Sequence, residues 1–256
     1  MGELFGFLLD RIFPSKCACC GEITGKYKGS SALCANCREK WELSKRRRCR
    51  VCGMAVTDCL CGEGEMYLSG IRDHLKLVFY DGGGDTAAGI IYSLKRGRNR
   101  RVSRFVSEEC AGRLIEYLSA RGIDPASVTL TYPPRTEKER RRNGIDQGKV
   151  MAKQVSRLLG CDFIRAFVRR GGVKQRELDY KQRKLNAEKS IFQIDGLSLK
   201  GRRMVLIDDV VTSGATMSRA AVLLYRMGAE EVISLSVSKA ERHLSRDIGI
   251  TGTEKT

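Results

Sequence analysis

The sequence predicts an α/β fold with a mostly parallel sheet, preceded by a small cysteine-rich module. From Tyr67 onward, apolar strand-like runs alternate with segments of helical spacing, the pattern of a parallel sheet covered by helices. Nine of the 11 cysteines lie in residues 17–61, a stretch with few large apolar residues. We therefore expect a helix and cysteine-rich module over residues 1–66, an α/β domain over 67–245 and a polar tail over 246–256.

The elements of the α/β domain are predicted in order from apolar runs and their boundaries. Strands are expected at LKLVFY (75–80), SVTLTY (127–132), MVLI (204–207) and EVISLSVSK (231–239), each bounded by glycine, proline or polar residues. Helical spacing runs from Thr86 to about Leu118 in two pieces broken near Lys95–Arg101, and again over Gln147–Leu159 and Gly214–Met227. A short amphipathic helix is expected at Leu4–Leu9.

Four close cysteine pairs stand in the N-terminal module. Sulfur ligands at such spacing are typical of structural zinc, because four of them complete its tetrahedral shell and leave no position for water. We expect about two structural zinc ions, with either sequential or interleaved pairing of the motifs. Free thiols and an iron–sulfur cluster remain alternatives, and Cys19 is expected to be a spare thiol. The eight expected ligands are Cys17, Cys20, Cys34, Cys37, Cys49, Cys52, Cys59 and Cys61.

The charge of the chain is concentrated in one part of it. The net charge is +17, and residues 95–203 alone hold 28 basic and 12 acidic side chains. Such a field indicates an anionic partner, either a phosphate ligand or nucleic acid, with a merely solvated surface as the alternative. The run Lys45–Arg48 is a further basic cluster that either contacts nucleic acid or is solvated.

Composition excludes two classes of protein. Hydrophobic residues make up 42% of the chain, which is enough for a core and excludes wholesale disorder. No run approaches the roughly 18 apolar residues of a membrane helix. Residues 1–13 lack a basic start and a cleavage site, so we expect no secretory signal and a cytoplasmic protein.

The segment VLIDDVVTSGAT (205–216) predicts a phosphate site. An apolar strand ends in Asp208 and Asp209, and a loop rich in hydroxyls and glycine then opens a helix. Backbone N–H groups and the dipole at a helix start favour an anion, and Gly214 would let the backbone approach it. Carboxylates before such a loop suit hydroxyls or a metal rather than phosphate. A ribose 5-phosphate satisfies both features.

This segment resembles the PRPP-binding motif of type I phosphoribosyltransferases, in which two acidic and two β-branched residues precede T-[TS]-G-x-T. With the cysteine-rich module, nearly the whole chain resembles the ComF family, whose members are linked to DNA uptake in natural competence. Further matches are Leu8-Leu9 to Phe13-Pro14, the helix Ile90–Lys95, Pro134-Arg135, and the pattern Gln175, Leu178, Arg183, Asn186 and Phe192. In the Arg142–Gln147 signature, Asn143 replaces an arginine and Asp146 an asparagine.

The resemblance implies a phosphoribosyltransferase-type domain that binds PRPP or another phosphoribosyl ligand with magnesium. Asp208 and Asp209 would be the catalytic pair, and the loop Tyr132–Arg135 would lie on the pyrophosphate side. Residues 169–190 would form either a mobile flap or an exposed basic helix. The full implied ligand-binding set is Asp208, Asp209, Val210, Val211, Thr212, Ser213, Gly214, Ala215, Thr216 and Arg135.

Two functions are compatible with these features. One is pentosyl transfer from PRPP, a glycosyltransferase reaction for which the sequence offers no evident acceptor-activating base. The other is a non-enzymatic accessory protein of DNA uptake or processing, with single-stranded DNA and a DNA-uptake helicase as candidate partners. We expect weak, salt-dependent binding of single-stranded DNA by the clusters Lys95–Arg101 and Arg135–Arg142.

Overall fold

The computed structural model describes residues 14–25, 31–80, 86–95, 99–137, 141, 144–171 and 180–241. The front of the chain contains β1 (Ser15–Lys16), β2 (Ile23–Gly25), α1 (Ala35–Lys45) and α2 (Gly64–Leu68). The remaining elements are β3 (Ile71–Tyr80), α3 (Thr86–Lys95), α4 (Arg100–Ala120), a 3-10 turn (Pro125–Ser127), β4 (Thr129–Thr131), α5 (Gln147–Leu159), β5 (Asp162–Phe163), β6 (Phe167–Arg169), α6 (Tyr180–Ser190), β7 (Ile191–Gln193), β8 (Arg203–Val211), α7 (Ala215–Arg226) and β9 (Glu231–Ala240).

Five strands form one sheet in the order β3-β9-β8-β4-β5. All neighbouring strands are parallel, as the alternation of strands and helices predicts. Successive side chains of a strand point to opposite faces, and both faces of this sheet are covered. Along β8, Val205 and Ile207 join a core formed with α3, α4 and α5. Met204 and Leu206 join a second core with α7 and the antiparallel β6–β7 pair.

Strand β8 is longer than the predicted run 204–207. It continues through the acidic pair to Val211, because the neighbouring strand β9 reaches Ala240 and supplies ladder partners along the whole length. Asp208 lies opposite Ser236 and Val211 lies opposite Lys239. The two aspartates therefore belong to the strand itself and point to opposite faces near its carboxyl end.

The cysteine-rich module packs directly on the α/β domain. Trp41 of α1 is fully buried, and its ring meets Phe105 of α4 edge to face with 5.8 Å between the centroids. The indole Nε1 donates to Glu109 Oε2 at 3.0 Å, and Lys45 donates to the same oxygen at 2.8 Å. The module is therefore part of the core on the α3–α5 side of the sheet, so its cysteine clusters are not its only source of stability.

Across the described ranges, no helix combines the length and the apolar character that a membrane crossing requires.

Candidate functional site

The eight predicted cysteine ligands form two compact groups with sequential pairing. Cys17 and Cys20 meet Cys34 and Cys37, and the other group unites the pairs of residues 49–61. In each group the four sulfur atoms lie within 4.8 Å of one another. The Cys20–Cys34 and Cys52–Cys59 sulfur distances are both 3.7 Å. Zinc bonded to four sulfurs at about 2.3 Å sets sulfur–sulfur distances of about 3.8 Å, so each group fits one zinc ion.

Backbone geometry prepares these sulfurs for a metal. Cys34 is the N-cap of α1, and its sulfur accepts the Cys37 N–H at 3.5 Å. In the second group the Cys49 sulfur accepts the Val51 N–H at 3.4 Å. Burial raises the pKa of Cys17, but N–H groups around its sulfur outweigh burial and lower that pKa to about 6. Such N–H donors stabilise the thiolate form that zinc binds.

Cys19 lies outside both groups. Its sulfur donates to the Thr86 carbonyl at 3.6 Å, where the module touches the start of α3. Burial raises the pKa of this thiol to about 12, so Cys19 stays protonated at neutral pH. Its position agrees with the interpretation of a spare thiol.

The second candidate site lies at the carboxyl end of β8. Asp209 is buried and Asp208 is half-buried. Each carboxylate folds back on the strand: Asp208 Oδ1 accepts the Asp209 N–H at 2.8 Å, and Asp209 Oδ1 accepts the Val210 N–H at 2.9 Å. These bonds fix both side chains close to the main chain before the loop begins.

Arg135 joins the loop after β4 to this acidic pair. Its guanidinium donates to Asp209 Oδ2 at 2.7 Å, and its backbone N–H donates to Asp146 Oδ2 at 3.2 Å. Asp146 is the N-cap of α5 and also accepts the Lys149 N–H at 3.4 Å. An aspartate in place of the family's asparagine therefore serves as a helix cap here. The structure thus brings together Arg135 and Asp209, which sequence analysis assigned to one ligand.

The two aspartates differ in their affinity for a proton. Burial and the charge of Asp209 raise the pKa of Asp208 well above its usual range. Burial acts on Asp209 in the same direction, but the charges of Arg135 and Lys95 outweigh it and lower its pKa. The pair therefore binds its first proton more tightly than an isolated aspartate does, and Asp208 is the residue that carries it.

The loop after β8 has the features of an anion site. Ser213 is buried, and its hydroxyl oxygen has no hydrogen-bond partner among the described residues. Gly214 is the N-cap of α7, with a left-handed φ of +78° and no side-chain cap for the helix. The first turn of α7 carries no acidic residue, so no carboxylate competes for its N–H groups.

The structure adds a second reason for glycine at position 214. A Cβ atom there would lie 2.7 Å from Met66 Cγ and 2.8 Å from Met66 Sδ. The left-handed turn therefore favours glycine, and a larger residue would also have to displace the side chain of Met66, a residue of the N-terminal module. No local sequence pattern indicates this contact.

Two regions of the chain match known domain families. Residues 8–67 match the double zinc ribbon domain, and residues 145–250 match the phosphoribosyl transferase domain. DNA utilization protein YhgH of Escherichia coli K12 is 31% identical over 147 residues, which cover 56% of this chain and 63% of YhgH. Competence protein F of Haemophilus influenzae Rd is 31% identical over 104 residues, which cover 39% of this chain and 44% of that protein. This chain is a homologue of these DNA utilization and competence proteins. The predicted resemblance to the ComF family and the predicted fold are therefore confirmed.

The match spans less than two thirds of the length of YhgH. Among solved structures, adenine phosphoribosyltransferase from Leishmania tarentolae is similar at 16% identity with a TM-score of 0.36, over 58% of this chain and 74% of that chain.

A buried polar network lies between the second zinc ribbon cluster and the sheet, and sequence analysis missed it. Glu63 Oε1 contacts His74 Nδ1 at 3.0 Å and accepts from Lys76 Nζ at 2.7 Å. His74 Nε2 lies 2.9 Å from Ser236 Oγ, and all four residues are buried. Lys76 sits inside an apolar strand-like run and His74 just precedes it, so the local pattern gave no sign of ionic partners far along the chain.

Some residues of the predicted basic clusters form ion pairs with acidic residues of the same chain. Arg141 pairs with Glu137 at 2.6 Å on the surface. In the run Lys45–Arg48, Lys45 pairs with Glu109 and Arg47 pairs with Glu241.

Several residues named in the sequence analysis have definite places, and others do not. Arg183 and Asn186 lie on α6, within the part of the predicted flap that forms a helix, and Phe192 lies on β7. The following residues of those predictions lie outside the described ranges: Leu4–Leu9, Phe13, residues 96–98, Arg140, Arg142, Asn143, Gln175 and Leu178.

Proposed function

We propose that this chain binds PRPP, or a related 5-phosphoribosyl ligand, at the carboxyl end of β8. The observation that supports the proposal most directly is the buried Ser213 hydroxyl, which lacks a partner at the uncapped start of α7. A buried hydroxyl without a hydrogen bond is costly, and a 5-phosphate in the loop Thr212–Thr216 would supply the missing partner.

The rest of the ligand would extend from this loop toward Arg135. Asp208 and Asp209 would accept hydrogen bonds from the ribose hydroxyls, in the role that the resemblance implies for them. Arg135 already lies 2.7 Å from Asp209, so its guanidinium is positioned for a pyrophosphate group beside the sugar. Asp208 and Asp209 also offer the carboxylate oxygens that magnesium takes together with substrate phosphates. Bound magnesium would neutralise the charge of pyrophosphate as it leaves.

Calorimetric titration of PRPP into the purified chain, with and without magnesium, tests the proposal. We expect magnesium-dependent binding that the double substitution Asp208→Asn with Asp209→Asn weakens by at least about tenfold, because amides hold ribose hydroxyls and magnesium more weakly than carboxylates do. Asp162→Asn is the matched control, because Asp162 is exposed at the opposite end of the sheet, level with Met204. No heat of binding at millimolar PRPP or ribose 5-phosphate would contradict the proposal.

We propose single-stranded DNA as a second ligand, on a different surface. Lys149, Lys153 and Arg157 repeat every fourth residue on the exposed side of α5, which spaces them about 6 Å apart along the helix. In the described part of the chain, none of the three forms an ion pair. A row of unpaired cations fits a phosphate backbone, and Phe163 lies beneath Lys153 at 5.5 Å. The names of the homologous DNA utilization and competence proteins support this ligand.

A further inference from the structure

The second zinc ribbon cluster and the candidate phosphate loop are connected by a short segment of chain. After Cys59 and Cys61, the backbone passes through Gly62 and enters α2, which begins at Gly64. Met66 of this helix is buried and packs against Gly214, so closely that a Cβ atom on Gly214 would lie 2.7 Å from Met66 Cγ. The position of the loop therefore depends on where α2 lies.

Lys239 also connects this segment to the loop, through two hydrogen bonds. This lysine of β9 is 1% exposed, and its ammonium group donates to the Gly62 carbonyl at 2.8 Å and to the Thr212 carbonyl at 3.2 Å. One buried cation thus bridges the residue after the last cysteine ligand and the first residue of the loop. Hydrogen bonds from a charged donor are stronger than neutral ones, so this bridge constrains both carbonyls.

The segment is also fixed to the sheet. Lys76 Nζ donates to the Cys59 carbonyl at 2.6 Å and to Glu63 at 2.7 Å, which anchors both sides of Gly62 on β3. The first cluster lies elsewhere. It contacts the start of α3 through Cys19 and joins the core around Trp41, on the face of the sheet opposite α7.

We propose that the second cysteine cluster orders the phosphate loop Thr212–Thr216, with Lys239 and Met66 as the positioning residues that transmit its fold. Folding of residues 49–61 requires the metal, because binding energy is folding energy in such small modules. Loss of metal from this cluster releases Gly62 and α2, and the loop loses its two supports. The inference rests on the proposed function. If the loop binds the phosphoribosyl ligand, linkage requires that this ligand and zinc at the second cluster strengthen each other's binding by the same factor.

Hydrogen–deuterium exchange of residues 212–218 in the full chain tests this coupling without any ligand. Cys20 and Cys52 are a matched pair, since each is the exposed second cysteine of its motif. We expect Cys52→Ser to accelerate exchange of the loop amides by about tenfold or more, the equivalent of one charge-assisted hydrogen bond. Cys20→Ser should change exchange near residue 86 and leave the loop amides at the wild-type rate. Equal acceleration by both substitutions, or by neither, overturns the proposal.

Lys239→Met keeps the inference testable if Cys52→Ser fails to fold, because methionine retains most of the side-chain volume. We expect this variant to keep about two zinc ions per chain and to show the same faster exchange of the loop. PRPP affinity, measured in parallel, should fall by about tenfold. If the wild-type chain binds no PRPP, the proposed function is wrong, but the exchange experiment still tests the coupling. A Lys239→Met loop that exchanges at the wild-type rate overturns it.

Discussion

Arg135 and Asp209 form a 2.7 Å ion pair that joins the loop after β4 to the end of β8. Only 18% of the arginine side chain and 8% of the aspartate side chain are exposed, so water screens the pair poorly. The two strands are neighbours in the sheet, and the pair closes the gap between their carboxyl ends. The same edge carries the candidate phosphate loop, so this ion pair sets the resting charge of the site.

Removing one partner of this pair should destabilise the fold. Arg135→Met leaves a buried carboxylate without its cation, and we expect the free energy of unfolding to fall by about 3–5 kcal/mol in urea titration. The double variant with Asp209→Asn should recover much of the loss, because it removes the uncompensated charge. A double variant as unstable as Arg135→Met alone would show that the arginine acts through packing instead.

The raised pKa of Asp208 predicts a pH dependence of stability. The folded chain holds this proton more tightly than the unfolded chain, so stability falls as the pH rises from about 4, the ordinary value for aspartate, toward the raised pKa. Asp208→Asn cannot titrate and keeps an oxygen that accepts the Asp209 N–H. We expect the variant to be more stable than wild type at pH 7, with a flatter profile. Unfolding at several pH values in metal-free buffer measures this; parallel profiles would refute it.

The contact between Gly214 and Met66 predicts an unequal cost for two glycine substitutions. Gly160 and Gly214 both adopt a left-handed φ, but a Cβ at Gly160 would meet no atom within 4 Å. Gly160→Ala should therefore cost about 1 kcal/mol, the conformational penalty alone. Gly214→Ala should cost about 1–3 kcal/mol more, because the new methyl group meets Met66. Thermal unfolding of both variants checks the difference, and equal losses would argue against the packing.

The two cysteine clusters predict a metal content of about two zinc ions per chain, measured on protein purified without added metal. Replacing Cys17 or Cys49 with serine should each lower the content by about one ion, because the pairing is sequential and a cluster with three thiolates binds zinc weakly. Iron in the sample, or a loss of both ions from either single substitution, would contradict two independent zinc sites.

The cationic side of α5 predicts how DNA binding responds to salt. Replacing Lys149, Lys153 and Arg157 with glutamine should reduce the salt slope for single-stranded DNA by about 2 units, at about 0.7 per phosphate contact. The control variant removes three exposed lysines from separate surfaces: Lys40, Lys189 and Lys200. Fluorescence anisotropy over a series of salt concentrations compares them. Equal slopes in both variants would place the DNA surface elsewhere, with the region around Arg141 tested next.

Local patterns made much of this structure predictable. The helix Gln147–Leu159 begins and ends where its apolar spacing places it, because an aspartate cap precedes it and a glycine follows it. The zinc ligands were equally evident, since a Cys-x-x-Cys turn brings two sulfurs together without help from the rest of the chain. The order of the strands and the pairing of the cysteine motifs needed the structure.

Contacts distant in sequence escaped prediction. Lys239 reaches Gly62 across 177 positions, and His74 reaches Ser236 across 162. The sequence around a lysine in an apolar strand does not indicate which carbonyl groups its ammonium group will contact. The phosphate loop was recognised from its motif, but part of the preference for glycine at position 214 comes from Met66, which belongs to another part of the chain.

Trp41 is the only tryptophan in the chain, and it is buried where the first ribbon cluster meets α4. Indole emission shifts to longer wavelength when water reaches the ring, and no second indole contributes to the signal. The intrinsic fluorescence of this protein therefore reports one event, the separation of Trp41 from Phe105 and Glu109. Detachment of the ribbon can be followed in real time without a label, and it can be distinguished from changes at the phosphate loop, which carries no aromatic residue.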